Sequence, residues 1–90
     1  MSKFTLLEVS GESCANCYTL LPVVRKLADE RGIGVEHLEV TPQNAARVQA
    51  LAVDRVPTLI VFKDGAEVAR CTGFQPEEIL SLWLDAKLEA

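Results

Sequence analysis

Cys14 and Cys17 flank Ala15-Asn16, between an apolar run and a stretch of helical periodicity. A Cys-x-x-Cys pair either holds a metal or passes electrons as dithiol and disulfide, and a strand-then-helix setting favours electron exchange. The chemistry requires a thiolate, and a free cysteine with a pKa of about 8.5 supplies little of it at neutral pH. Cys14 falls at the start of the helix, where unpaired N–H groups and the positive end of the dipole favour an anion. It is therefore the expected nucleophile, attacking a partner disulfide to form a mixed disulfide. Cys17, one turn further in and more buried, displaces the reduced partner and closes the Cys14–Cys17 disulfide. The metal alternative needs two further ligands for a closed zinc site, and only Cys71 and His37 could supply them.

Glu8 is a carboxylate amid Phe4, Leu6, Leu7 and Val9. If buried, its pKa rises, and it becomes an acid–base partner for Cys17 through a water. If it ends the strand in solvent, it has no such role. Other polar or reactive residues have simpler readings. His37, flanked by Glu36 and Glu39, reads as a solvated surface residue. Cys71 reads as a small packing residue of the last strand. Trp83 reads as core, so its fluorescence should report redox state poorly.

These residues must be positioned by short elements. Phe4 to Val9 is a nearly continuous apolar run, as expected for a strand buried on both faces. Ser10 to Ser13 form a loop. From Ala15 to Arg31, Leu20, Val23, Val24, Leu27 and Ala28 fall at helical spacing, Pro22 should kink the helix, and Gly32 ends it. Val35 to Val40 reads as a second strand, with Val35, Leu38 and Val40 available to a core. Thr41-Pro42 reads as an N-cap with proline at the first helical position, and that helix is expected to reach about Val53 with Ala45, Val48, Leu51 and Ala52 inward. Thr58 to Phe62 is the strongest strand, and Lys63-Asp64-Gly65-Ala66 turns into its antiparallel neighbour, Glu67 to Thr72. Gln75-Pro76-Glu77-Glu78 opens a final helix whose buried face is expected to carry Ile79, Leu82, Trp83 and Leu88. The order βαβαββα implies an α/β fold with a four-stranded mixed sheet flanked by three helices on both faces. Right-handed crossovers would make the first three strands parallel, the hairpin adding an antiparallel edge.

Ninety residues are enough for one domain, residues 1–90, with a core of its own. With 49% hydrophobic and 24% charged residues the chain is globular in composition, which excludes disorder as the default. The net charge of -4 is spread out and Lys and Arg form no run, so neither nucleic acid nor an anionic membrane has an electrostatic footing. The N-terminal apolar stretch is too short for a signal peptide and no run approaches a membrane span. The expected location is the cytoplasm, where thiols are kept reduced and three cysteines suggest a reactive pair plus one spare.

The chain resembles the thioredoxin family over almost its whole length. Beyond the cysteine pair, Pro22 lies where the family's active-site helix kinks, Val56-Pro57-Thr58 matches its cis-proline loop, and Gly65 and Gly73 match its late glycines. Phe62-Lys63-Asp64-Gly65 is similar to the family's hairpin, whereas nothing resembles the glutathione-binding segment of glutaredoxins. The resemblance implies a thioredoxin fold and a protein-disulfide reductase that needs no cofactor, with Glu8 at the family's buried acid, commonly an aspartate. It also implies a cis Pro57 opposite the sulfurs and a substrate surface at Val56, Pro57, Gly73 and Phe74. Without it, Pro57 is equally an ordinary trans proline opening a strand. The partners implied are disulfide-containing proteins and a separate thioredoxin-reductase-like electron donor. The sequence departs from the family in Ser13 for tryptophan, Tyr18 for lysine and Ala15-Asn16 for Gly-Pro, and its first strand begins the chain where thioredoxins usually have another strand and helix before it. The dipeptide between the cysteines tunes redox poise, so the potential does not carry over. A competing class is a binding module of the same fold that uses the groove for contact, or the thiols for metal, without turnover.

Overall fold

Five consecutive buried residues, Leu6 to Ser10, make the first strand the centre of the molecule, because only an interior strand is covered on both faces. A computed structural model of the chain describes residues 3–89. Its elements are β1 (Phe4–Ser10), α1 (Ala15–Glu30), β2 (Gly34–Glu39), a 3-10 turn (Pro42–Asn44), α2 (Ala45–Ala50), β3 (Thr58–Lys63), β4 (Ala66–Thr72) and α3 (Glu77–Leu88). The described residues form a four-stranded sheet in the order β2-β1-β3-β4. β1 pairs with β2 in parallel, Glu8 opposite His37, and with β3 antiparallel, Glu8 opposite Leu59.

β3 therefore corrects the expectation of three parallel strands. The chain leaves β2 at one edge, passes α2 and enters on the far side of β1, and only the β1-α1-β2 unit is a parallel crossover of the kind the handedness rule governs. The β3–β4 hairpin is as expected, with Asp64 and Gly65 both at positive φ (52° and 86°), the geometry that matches strand twist in a two-residue turn.

Alternation along β1 divides the core in two. Leu6 joins Leu59, Val61, the α1 residues Leu20, Val24, Leu27 and Ala28, and Leu80 and Leu84 of α3 on one face. Leu7 and Val9 join Ile60, Leu38 and Val48 of α2 on the other. Helices thus cover both faces, as the apolar pattern requires. α1 runs unbroken through Pro22 and ends on Gly32 at φ 66°, with Ile33 N–H donating to Ala28 C=O across the end.

Two helices differ from their expected form. α2 ends at Ala50 because Ala52 adopts a left-handed φ of 55°; Val48 is buried and Leu51 half-buried, but Ala45 and Ala52 are exposed. α3 turns Leu80 and Leu84 inward, with Trp83 and Leu88 packed partly against them, and leaves Ile79 and Leu82 54% and 69% exposed. Its apolar residues are so dense that two adjacent stripes both satisfy helical periodicity, and packing chooses between them.

Candidate active site

The pairing register brings three chain segments to one end of the sheet. Val9 pairs with Thr58 and Thr58 with Thr72, so the loop after β1, the loop before β3 and the turn after β4 adjoin. Gly73 N–H donates to Pro57 C=O at 2.8 Å, tying the last two together. Gly11 lies close to Val56: a Cβ there would stand 3.0 Å from a Val56 methyl, so this glycine is required by close approach. The Val56–Pro57 peptide bond is cis, and Pro57 is buried.

Cys14 is the N-cap of α1. Ser13 before it takes a left-handed φ of 53°, which swings the chain from the loop into the helix. The Cys14 backbone is extended, and its Sγ accepts from Cys17 N–H at 3.2 Å, the role that a serine or aspartate oxygen plays in other helix caps. Cys14 C=O meanwhile accepts from Cys17 and Tyr18 N–H. The two cysteines are joined as a disulfide with Cα atoms 5.3 Å apart. Cys17 is 3% exposed and Cys14 only partly covered, so the outer sulfur is the one a partner can reach. An N–H donor aimed at Sγ and the helix N-terminus behind it both favour negative charge on Cys14 when the bond opens.

Glu8 is fully buried, which answers the alternative of a solvated strand end. Burial pushes its carboxyl above the ordinary glutamate range; the hydrogen bond from Ser10 Oγ to Oε1 and the charges of His37 and Arg25 oppose that, and Glu39 adds to it. His37 corrects the reading of a solvated residue: its side chain is only 25% exposed, and Nε2 points inward to stand 3.6 Å from Glu8 Oε2. A small cavity of about 40 Å³ touches Cys17 on one side and Ser10, His37 and Glu39 on the other, room for about one water.

Of the remaining expected residues, Val56 and Gly73 are half-buried and Phe74 is 40% exposed. Tyr18, beside Cys17, is 74% exposed, an aromatic surface that the sequence reading did not use. Cys71 is half-buried opposite Leu59, and burial raises its thiol pKa, in keeping with a packing role. Among the described residues no three His, Cys, Asp or Glu side chains gather as a metal site would require. Ser10, expected in the loop, is the buried last residue of β1, and neither it, Gly11 nor His37 was given this place beside Cys17 by the sequence. Only His37 left a signal, since it is two residues from Val35 and so shares its face.

A dithiol pair at a helix N-terminus beside a cis-proline loop defines a thiol–disulfide oxidoreductase. A sequence model of the thioredoxin family matches residues 1–86, and the chain belongs to that family. The thioredoxin of Staphylococcus aureus (strain Mu50 / ATCC 700699) is 40% identical over 79 residues, covering 83% of this chain and 73% of the relative. A mutant thioredoxin from Halobacterium salinarum NRC-1 superposes with a TM-score of 0.85 at 32% identity, covering 98% of this chain and 77% of the other. A thioredoxin solved in a complex of ferredoxin:thioredoxin reductase with thioredoxin f2 shares the fold, with a TM-score of 0.81 at 22% identity over 94% of this chain and 78% of that one. The chain is thus a protein-disulfide reductase acting through the Cys14–Cys17 dithiol.

Proposed function

We propose that residues 1–90 work as one domain in which Cys14 attacks the substrate disulfide and Cys17 resolves the intermediate. The carrying observation is Cys14 Sγ accepting the Cys17 N–H at the helix cap while Cys17 lies buried behind it. The Cys14 thiolate bonds to one substrate sulfur and expels the other as a thiolate. Cys17 then loses its proton and bonds to Cys14 Sγ, releasing the second substrate thiolate; two electrons have passed to the substrate and the protein holds the disulfide. Glu8, buried and with its proton affinity raised, is the base that takes the Cys17 proton by way of water in the small cavity and the Ser10 hydroxyl, which lines that cavity and is hydrogen-bonded to Glu8 Oε1.

The substrate is an extended protein segment laid against Val56, Pro57, Gly73 and Phe74. Their place at the same sheet end as the cysteines supports this. A separate reductase returns the electrons, a reading supported by the reductase complex of the fold neighbour. The working location is the cytoplasm, whose reducing poise keeps the dithiol charged; among the described residues no helix is long and apolar enough to cross a membrane. Cys14→Ser should abolish disulfide reduction, and Cys17→Ser should accumulate mixed disulfides with substrate, seen as an added mass. Accumulation in Cys14→Ser instead would reverse the two roles. The reduction potential, from thiol counts in glutathione or dithiothreitol buffers, should fall near the value of about -270 mV that suits a reductant; about -180 mV, which suits an isomerase or oxidant, would contradict the direction of flow.

A further inference from the structure

Glu8 Oε2 and His37 Nε2 are both buried, and among the described residues neither has a hydrogen-bond partner. Polar atoms sealed in this way are costly unless they serve each other or a water. They face one another at 3.6 Å, just beyond hydrogen-bond reach, so a shift of a few tenths of an ångström closes the contact. The pair lies on adjacent parallel strands, held by the Glu8–His37 register. Glu8 is wholly enclosed, whereas a quarter of the His37 side chain is exposed, and His37 also lines the cavity that touches Cys17. A proton delivered to Glu8 thus has one titratable neighbour that reaches both the carboxylate and the outside.

We propose that His37 is a positioning residue of the resolving step, carrying the proton between Glu8 and solvent. This rests on the reading of Glu8 as base for Cys17. When Cys17 gives up its proton, Glu8 holds it as a neutral carboxyl. Glu8 then donates to His37 Nε2, the ring releases a proton from Nδ1 outward, and the carboxylate is restored. One proton enters and one leaves, with no electrons moved in the relay. The charged groups around the pair are Arg25 on α1, which favours the ionised carboxylate, and Glu39 on β2, which opposes it. β3 contributes only Leu59 opposite Glu8, and Tyr18 of α1 is the remaining titratable side chain at the cavity. No other imidazole exists in the chain, so the relay has a single chemical signature.

The test separates attack from resolution. With Cys71→Ala in every protein compared, so that the third thiol adds no signal, reduced protein mixed with excess 5,5′-dithiobis(2-nitrobenzoate) releases one chromophore as Cys14 attacks and a second as Cys17 resolves, and each phase is followed from pH 6 to 9. In His37→Gln the first phase should be unchanged and the second slowed roughly tenfold to hundredfold, the lower range of general acid–base effects. In His37→Ala, added imidazole should restore the second phase in proportion to its concentration, which a merely structural histidine would not allow. In a Glu8→Gln background both the His37 effect and the imidazole rescue should vanish. Resolution at the wild-type rate in His37→Gln while Glu8→Gln is slow overturns the relay and leaves Glu8 as base. The same His37 effect with Glu8 present or absent, or no response to imidazole, also overturns it. A wild-type rate in Glu8→Gln overturns the reading of Glu8 itself, and the relay with it.

Discussion

The two faces of the sheet are built differently. On one, α1 with sixteen residues and α3 with twelve enclose nine buried side chains; on the other, the six residues of α2 and the loop that follows cover five. The thick face carries Glu8, Cys17 and the helix that Cys14 caps, so the redox pair is held by the part of the molecule with most buried contact. The thin face continues into Val53, Val56 and the cis-proline loop, the proposed substrate surface. Firm sulfur placement and the thinly covered surface proposed for docking thus fall to separate layers, in line with the rule that binding segments come from the low-stability end of a fold.

Core truncation should separate the two faces most visibly. Leu84→Ala, on the thick face, is expected to cost about 3–5 kcal/mol in denaturant unfolding, and Val48→Ala, on the thin one, about 1–2 kcal/mol. Equal losses would mean that the faces do not differ in stability. The catalytic consequence should run the other way: Val48→Ala should raise KM for a protein substrate more than it changes the small-molecule attack phase, because α2 supports the Val53–Pro57 loop.

The buried acid gives the next largest effect. With its carboxyl raised by burial, the folded state binds the Glu8 proton more tightly than the unfolded chain does. The stabilisation that Glu8 contributes is therefore fully present below the ordinary glutamate range and is lost as pH rises through the elevated value, where a charge must be held inside. Glu8→Gln should flatten that slope and make the protein more stable than wild type at pH 8, measured by urea unfolding at several pH values. A parallel slope in the variant would show that Glu8 does not carry the pH dependence.

Much of this was legible in the residues. The continuous apolar run of β1, the stripe Leu20, Val24, Leu27 and Ala28, the Asp64-Gly65 turn and the cysteine pair are local patterns, and each appears where the pattern puts it. The misread features depend on what lies across space. The direction of β3 depends on which side of β1 the chain enters, which no local period records. Ala52 stops α2 in a conformation that its side chain does not announce. His37 looked solvated between two glutamates because only the parallel register sets it beside Glu8. Composition reveals that a site exists; the pairing of strands decides which side chains share it.

A weaker effect is expected where the thin face is fastened to β4. Arg70 of β4 donates to C=O of Leu51, the C-cap of α2, at 2.8 Å and, at 3.4 Å, to C=O of Ala52 just beyond it, and it grips Glu67 through two bonds of 2.6 and 2.7 Å. Cationic groups at a helix C-terminus satisfy such carbonyls, but the pair is about one third exposed, so screening keeps the gain near 1 kcal/mol. Arg70→Ala should lower global stability by about that amount. Its clearer signature should be local: amide hydrogens of Arg47 to Leu51 exchange faster, while those of Leu20 to Ala28 in α1 keep their protection. Arg70→Lys should recover only part of this, because an ammonium cannot reach two carbonyls and both carboxylate oxygens with a planar fork. If α1 and α2 lose protection together, the two faces open as one unit, and the docking loop does not have the independent softness inferred from its thin cover.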